Sequence, residues 1–221
     1  MRYRALVFDL DGTLVDSFSA IHQSLVKAME AVGHEPWDLA TTKMHVGWGL
    51  ESLLETAVGP MKRDDALRVF RDHYGKICLS RTYLLPSVAD TLQQLKDRGY
   101  RMAVATNKHS DFSCMILGHL GVLSYFILVL GPNDVLNPKP HPDMLEKVMK
   151  RMEVERDHTL YVGDMPLDVE TATQAKVDCL LVATGPYSLE MLRHECTVPV
   201  VANFADIVDY LKKGGIPLNP C

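Results

Sequence analysis

At roughly 150 residues per domain, a chain of 221 residues supports one domain and a fraction, which excludes a small peptide and a long repeat array. Hydrophobic residues at 47% and charged residues at 23% make a soluble-globular balance, far from the polar compositions that stay disordered. The formal net charge of −5, from 23 basic and 28 acidic side chains, offers no broad attraction for phosphate backbones or anionic lipid, so neither nucleic acid nor a membrane is an expected partner.

In chain order, the first element is the run Ala5-Leu-Val-Phe8, apolar throughout and therefore read as a strand covered on both faces. Asp9 stops it, far short of the length a secretion signal or a membrane span requires. Asp9-Leu-Asp-Gly-Thr13 follows immediately. Asp9 and Asp11, two residues apart, project similarly from the strand's carboxyl end, while Gly12 lets the chain turn. Carboxylates this close repel unless a hard cation with oxygen ligands sits between them, and magnesium is the common one at phosphate sites. An acidic turn ending a strand accounts for a lone Asp-Gly, less readily for two acids with Gly-Thr. A calcium loop of the EF-hand type fails because Thr13 and Leu14 stand where it needs an acid or Asn and a Gly.

From Asp16 to about Tyr83 helical spacing recurs, as in Ile21, Leu25, Met29 and Val32 before Gly33, and no strand is evident. Residues 16–83 are therefore expected to form an all-helical cap inserted after the first strand, on an α/β core of residues 1–15 and 84–221. Helical spacing resumes at Val88, Leu92 and Leu95, between Pro86 and Gly99. Apolar strands follow at Met102–Ala105, Phe126–Leu130, Leu160–Val162 and Cys179–Val182, alternating with helical stretches in the manner of a Rossmann-like parallel sheet. The tail 212–221, with Gly214, Gly215, Pro217 and Pro220, reads as loose.

In a parallel sheet every strand ends on the same side, so motifs that follow strands converge. Thr106-Asn107-Lys108 follows the second strand. Asp164 and Asp168 follow the fourth, at a spacing that suits a loop residue and the first turn of a helix, where acids also simply favour the helix dipole. Lys139, between Pro138 and Pro140, is a flexible side chain on a stiff mount, and it supplies the counter-charge that four acids need.

The ordered segments Val-Phe-Asp-Leu-Asp-Gly-Thr-Leu, Val-Ala-Thr-Asn-Lys, Lys-Pro-His-Pro and Val-Gly-Asp-Met-Pro-Leu-Asp resemble the four motifs of the haloacid dehalogenase superfamily, over nearly the whole chain. The helical insertion is similar to the cap of its phosphoglycolate phosphatase-like branch, with Val46-Gly-Trp-Gly-Leu50 and Glu51–Val58 as the matching cap segment. The resemblance implies that Asp9 is a nucleophile forming an aspartyl phosphate and that Asp11 protonates the leaving oxygen and then activates water. It implies that Thr106 binds phosphoryl oxygens by its hydroxyl and Asn107 by its backbone N–H, while Lys139 offsets developing charge. Magnesium would sit on the Asp9 carboxylate, the Asp11 carbonyl and Asp164, with Asp168 behind the metal waters and Lys139. Met165 departs from the pattern, where many relatives carry Ser or Thr. Asp11 argues for phosphoryl transfer over dehalogenation, and Thr13 tilts towards hydrolysis over a phosphosugar mutase.

The expected activity is a magnesium-dependent phosphatase acting on a small phosphate ester, with 2-phosphoglycolate first. Inorganic pyrophosphate, nucleotides, sugar phosphates, a mutase reaction and a non-catalytic phosphate-binding module are the alternatives. Lys43, His45 and Trp48 are placed in an interhelical turn that could face the site, a cation there suiting a second anionic group such as a carboxylate. The plainer reading leaves Lys43 solvated, His45 exposed and Trp48 packed within the cap. His109 and His141 read as loop residues, and Met144, Met149 and Met152 as core fillers. Five widely spaced cysteines suit reduced thiols in a cytoplasmic monomer or homodimer.

Overall fold

The computed structural model describes residues 2–214, so the sequence-predicted loose tail lies outside the described residues from 215 onward. β1 (Ala5–Phe8) is fully buried, as its unbroken apolar run requires. β2 (Val15–Asp16) leads into the insertion: α1 (Phe18–Ala31), α2 (Leu39–His45), α3 (Leu50–Val58) and α4 (Arg63–Ile77). β3 (Tyr83–Leu84) leads out of it. The rest alternates: α5 (Val88–Asp97), β4 (Arg101–Ala105), α6 (Ser110–His119), β5 (Phe126–Leu130), α7 (Asp143–Met152), β6 (Thr159–Gly163), α8 (Pro166–Ala175), β7 (Asp178–Val182), α9 (Leu189–Glu195), β8 (Val200–Val201) and α10 (Asp206–Lys212).

Six strands form one parallel sheet in the order β5-β4-β1-β6-β7-β8. Side chains alternate between two cores. Leu6, Phe8, Val104 and Val162 face one layer of helices, whereas Ala5, Val7, Ala103 and Tyr161 face the other, where Met144, Met149 and Met152 pack. The register aligns Phe8 with Val104 on one side and Val162 on the other, which brings the residues just beyond these strands to a common edge. β1 sits where the chain, having built outward through β4 and β5, returns to add β6 on the opposite side; that is the switch point at which open α/β sheets bind ligands.

The insertion is helical, as its spacing predicts, with α1 packed along α4 and α3 against α4. Its two ends are tied by an antiparallel ladder, Val15 opposite Leu84 and Asp16 opposite Tyr83. Strands of two residues carry too little pattern to be read from sequence, and the same holds for β8. Among the described residues no helix is long and apolar enough to cross a membrane, and Cys78, Cys114, Cys179 and Cys196 are free thiols.

Candidate active site

At the carboxyl edge of the sheet, Asp9 follows β1 directly, its backbone N–H donating to the Val162 carbonyl at 2.9 Å. Asp164 follows β6, and Asp168 falls in the first turn of α8, after Pro166 at the helix start. Asp9, Asp164 and Asp168 are all buried, and each can offer a carboxylate oxygen within 4.8 Å of the others. The buried Lys139 ammonium reaches into this cluster: Nζ donates to Asp168 Oδ1 at 2.8 Å and to the Tyr161 hydroxyl at 2.9 Å, and lies 3.0 Å from Asp9 Oδ1. Its loop is held by Asn107, whose Oδ1 accepts from the Lys139 N–H and whose Nδ2 donates to the Lys139 carbonyl, each at 3.0 Å. The stiff mount inferred from the two prolines is thus completed by a side-chain amide.

One ammonium against three carboxylates leaves negative charge uncompensated. Burial, together with Asp168 and against the pull of Lys139, pushes the Asp9 carboxyl up to about 6. Burial and the carboxylates of Asp168 and Asp9 push Asp164 well above the ordinary carboxylate range. Desolvation works against the charge of Lys139, but Asp168 and Asp9 outweigh it and hold the ammonium above the usual lysine range.

The three acids are not equivalent. Asp168 is saturated: Oδ2 accepts from the N–H groups of Asp164 and Met165, while Oδ1 faces Lys139 and Tyr161. Asp9 Oδ1 is fully buried, with the Lys139 ammonium 3.0 Å away as its counter-charge. Asp164 Oδ1 takes the Thr13 hydroxyl at 2.7 Å, and its Oδ2 is left beside the bare backbone of Gly12 and Gly185, where a Cβ would stand 2.4 and 1.8 Å away. Buried carboxylates that converge within 4.8 Å, three acids against one ammonium, are a donor set that fits a hard divalent cation such as Mg2+.

Asp11 points elsewhere. Its carboxylate pairs with the buried Lys108 ammonium at 2.8 Å and accepts from the Ser17 hydroxyl. Lys108 also donates to the Tyr74 hydroxyl of α4 at 2.8 Å, linking the sheet edge to the insertion. Burial opposes the charge on Lys108, yet Asp11 and Tyr74 raise its pKa above the usual lysine range. Thr106 is buried beside this pair, its Oγ1 accepting from the Lys108 N–H at 3.3 Å.

A cavity of about 380 Å3 lies between this edge and the insertion, with Asp9, Asp11, Thr106, Asn107 and Lys108 at its floor. The roof includes Gly47 and Gly49. The Gly47 carbonyl accepts from Asn107 Nδ2 at 3.0 Å, and the Met165 thioether lies where a Cβ on Gly47 would be. Met165 is therefore a buried contact between insertion and sheet edge, and its N–H still serves Asp168.

The three residues of the insertion singled out from sequence, Lys43, His45 and Trp48, do not line the cavity. Asp38 caps α2 through the Thr41 N–H, so the helix runs through Lys43 and His45 instead of turning there; Lys43 Nζ sits 5.2 Å over the Phe18 ring, and His45 packs against Trp37. Trp48 lies between two glycines of positive φ whose backbones face the cavity, and its own side chain is 47% exposed, neither lining the site nor packed inside the insertion. Sequence reasoning missed the wall residues Tyr74, Arg71 and His109, the links made by Lys108 and Tyr161, and the aiming of Asp164 by Thr13. Of these, Thr13 and Lys108 stand inside motifs already noted, and the others carried no signal.

A parallel sheet with helices on both faces, whose carboxyl edge gathers three buried acids around a lysine beneath a helical insertion, is a Rossmann-like α/β architecture with its site at the strand ends. The family model of the haloacid dehalogenase-like hydrolases matches residues 6–182, and the chain belongs to that family. It is 30% identical over 206 residues to a phosphoglycolate phosphatase of Aquifex aeolicus, covering 93% of this chain and 97% of that one. It is 32% identical over 187 residues to a phosphoglycolate phosphatase of Rhodobacter capsulatus, covering 82% and 84%. The crystal structure of a predicted phosphoglycolate phosphatase from Haemophilus somnus superposes with a TM-score of 0.86 at 25% identity, over 96% of this chain and 99% of that one.

Proposed function

We propose that the chain is a Mg2+-dependent phosphoric monoester hydrolase working through an aspartyl phosphate, with residues 16–83 as the cap over a core of 1–15 and 84–221. The observation that carries this reading is the convergence of the buried carboxylates of Asp9, Asp164 and Asp168 on the Lys139 ammonium, with Asp9 lining the cavity. Asp9 attacks phosphorus, and the leaving oxygen takes its proton from Asp11, which then activates the water that hydrolyses the acyl phosphate. The Thr106 hydroxyl and the Asn107 N–H hold phosphoryl oxygens. Lys139 keeps Asp9 ionised and aimed, and stabilises the charge spread over the transferring group. Asp9, Asp164 and the Asp11 carbonyl would hold Mg2+, whose chemistry is to neutralise and orient the phosphoryl oxygens. Asp168, spent on Lys139, Tyr161 and two backbone N–H groups, positions the others.

The names of the relatives put 2-phosphoglycolate first among substrates to assay, ahead of pyrophosphate, nucleotides, sugar phosphates and a mutase reaction. Free thiols suit a cytoplasmic protein. The test is phosphate release from that panel with Mg2+ and with a chelator, beside acid-quenched protein labelled from a phosphorus-32 substrate. Chelation is expected to abolish release and Mg2+ to restore it; release that persists under chelator would defeat the metal reading.

The crowding around Asp164 supplies a sharper check. Gly185→Ala would drive a Cβ to within 1.8 Å of Asp164 Oδ2, so the carboxylate must move. Half-maximal activation should then need about 10–100 times more Mg2+, the usual effect of disturbing the support of a metal ligand. An unchanged Mg2+ requirement would remove Asp164 from the metal site.

A further inference from the structure

Beyond its floor, the cavity is built for something other than a second charge. Its walls are Ile21 and Leu53, the aromatic rings of Phe70, Tyr74 and Phe112, and Met115. Phe70 stacks on Tyr74 with ring centroids 5.5 Å apart, and Phe112 meets Tyr74 edge-on at 5.2 Å, so the rings form one continuous aromatic wall.

The one buried cation of the lining is already engaged. Lys108 is paired with Asp11 at 2.8 Å in a buried pair, whereas Arg71 meets Glu51 at 3.1 Å in an exposed pair at the rim, away from the aromatic wall. His109 stands 3.5 Å from Asp111, another acid of the lining. Lys43, the cation that would have received a carboxylate, lies over Phe18 outside the cavity. A carboxylate seated against the aromatic wall would lose hydration with no buried cation beside it, at a cost that apolar walls cannot offset. An apolar or aromatic group would instead exchange water for ring and methyl surface. The volume agrees: about 380 Å3 is of the size that encloses a drug-sized ligand, whereas 2-phosphoglycolate offers two carbons and a carboxylate.

We infer that the organic group of the substrate is uncharged and apolar, of aryl or arylalkyl size, seated on the Phe70–Tyr74–Phe112 wall while its phosphate lies on Asp9 and Thr106. The inference rests on the phosphatase reading for the orientation of the ligand, and it moves the preferred substrate class away from small phosphate esters that carry a carboxylate.

The test separates binding from turnover. Calorimetry in the presence of Mg2+ compares benzylphosphonate with phosphonoacetate, which neither enzyme nor water hydrolyses under these conditions. Benzylphosphonate is expected to bind at least tenfold tighter, the low end of what one methylene is worth in an apolar pocket. A smaller ratio, a reversed order or no heat from either ligand overturns the inference. Kinetics with benzyl phosphate, ethyl phosphate and 2-phosphoglycolate, all esters of primary alcohols, should give the same order in kcat/KM. Loss of turnover on all three, with Asp9→Asn matching the unsubstituted protein, defeats the phosphatase reading while the calorimetric ratio still decides the pocket. Glu51→Gln, at an exposed pair, frees the Arg71 guanidinium and is expected to narrow the ratio in favour of phosphonoacetate. An unchanged ratio would show that charge pairing is not what excludes the carboxylate, and would overturn the inference on that ground.

Discussion

Asp9→Asn is expected to lower phosphate release by at least about a thousandfold, ~4 kcal/mol in the barrier, while leaving the melting temperature within a few degrees. The amide matches the carboxylate in shape, so the packing of β1 and the Asp9 N–H bond to Val162 survive. Lys139 keeps its contacts with Asp168 and Tyr161, so no ammonium is stranded. Asp9 is buried with its pKa pushed up to about 6, which means that its charge is held at a cost; neutralising it relieves the site of that cost even as it removes the nucleophile. Two readouts distinguish this from a general loss of structure. Acid-quenched samples of the unsubstituted protein should carry labelled phosphate and Asp9→Asn none. The thermal stabilisation that Mg2+ gives the unsubstituted protein should also shrink, because one carboxylate donor is gone. Turnover within tenfold of the unsubstituted protein would rule Asp9 out as the nucleophile.

The parts of this architecture legible in the sequence are those with a strong local signal. Unbroken apolar runs located five strands of the sheet to within a residue; four of them are covered on both faces and so must be apolar, whereas β5 is the edge strand and leaves Ile127 56% exposed. The acids at strand ends converge because parallel strands must end together, so Asp9, Asp164 and Asp168 could be brought to one edge with no knowledge of the loops. What sequence does not carry is partner choice. That Lys139 would face Asp168 and Tyr161, that Asn107 would brace Lys139 and Gly47 by its side chain, and that Lys108 would take Asp11 depend on tertiary placement. The insertion shows the same limit. Its helices are evident from spacing, yet the residues chosen to face the site do not: Lys43 lies within α2 with its ammonium over Phe18, and Trp48 is exposed between two glycines of positive φ. Backbone from Gly47 and Gly49 lines the cavity in their place, and a glycine gives no chemical hint of such a role.

Lys139→Met should be the most destabilising single change at the site, lowering the unfolding free energy by about 3–5 kcal/mol in urea titrations at neutral pH without added metal. Methionine fills much of the volume, so the loss is electrostatic in origin. With the ammonium removed, Asp9, Asp164 and Asp168 face one another in a buried space with no cation, and the Tyr161 hydroxyl loses a donor. The effect far exceeds that of an exposed pair such as Lys76 with Asp72, whose removal should cost under about 1 kcal/mol. Lys139→Arg is the discriminating control. It restores the charge, but the planar guanidinium is larger and cannot converge on Asp9, Asp168 and Tyr161 as a point charge does, so stability should recover more than turnover. Mg2+ gives a further sign check: with the net negative charge increased by one, added Mg2+ should raise the melting temperature of Lys139→Met by more than it raises that of the unsubstituted protein. If Lys139→Met unfolds within 1 kcal/mol of the unsubstituted protein, the acids are protonated or solvated in solution, and the charge balance that makes this edge a cation and phosphate site would have to be rebuilt from other residues.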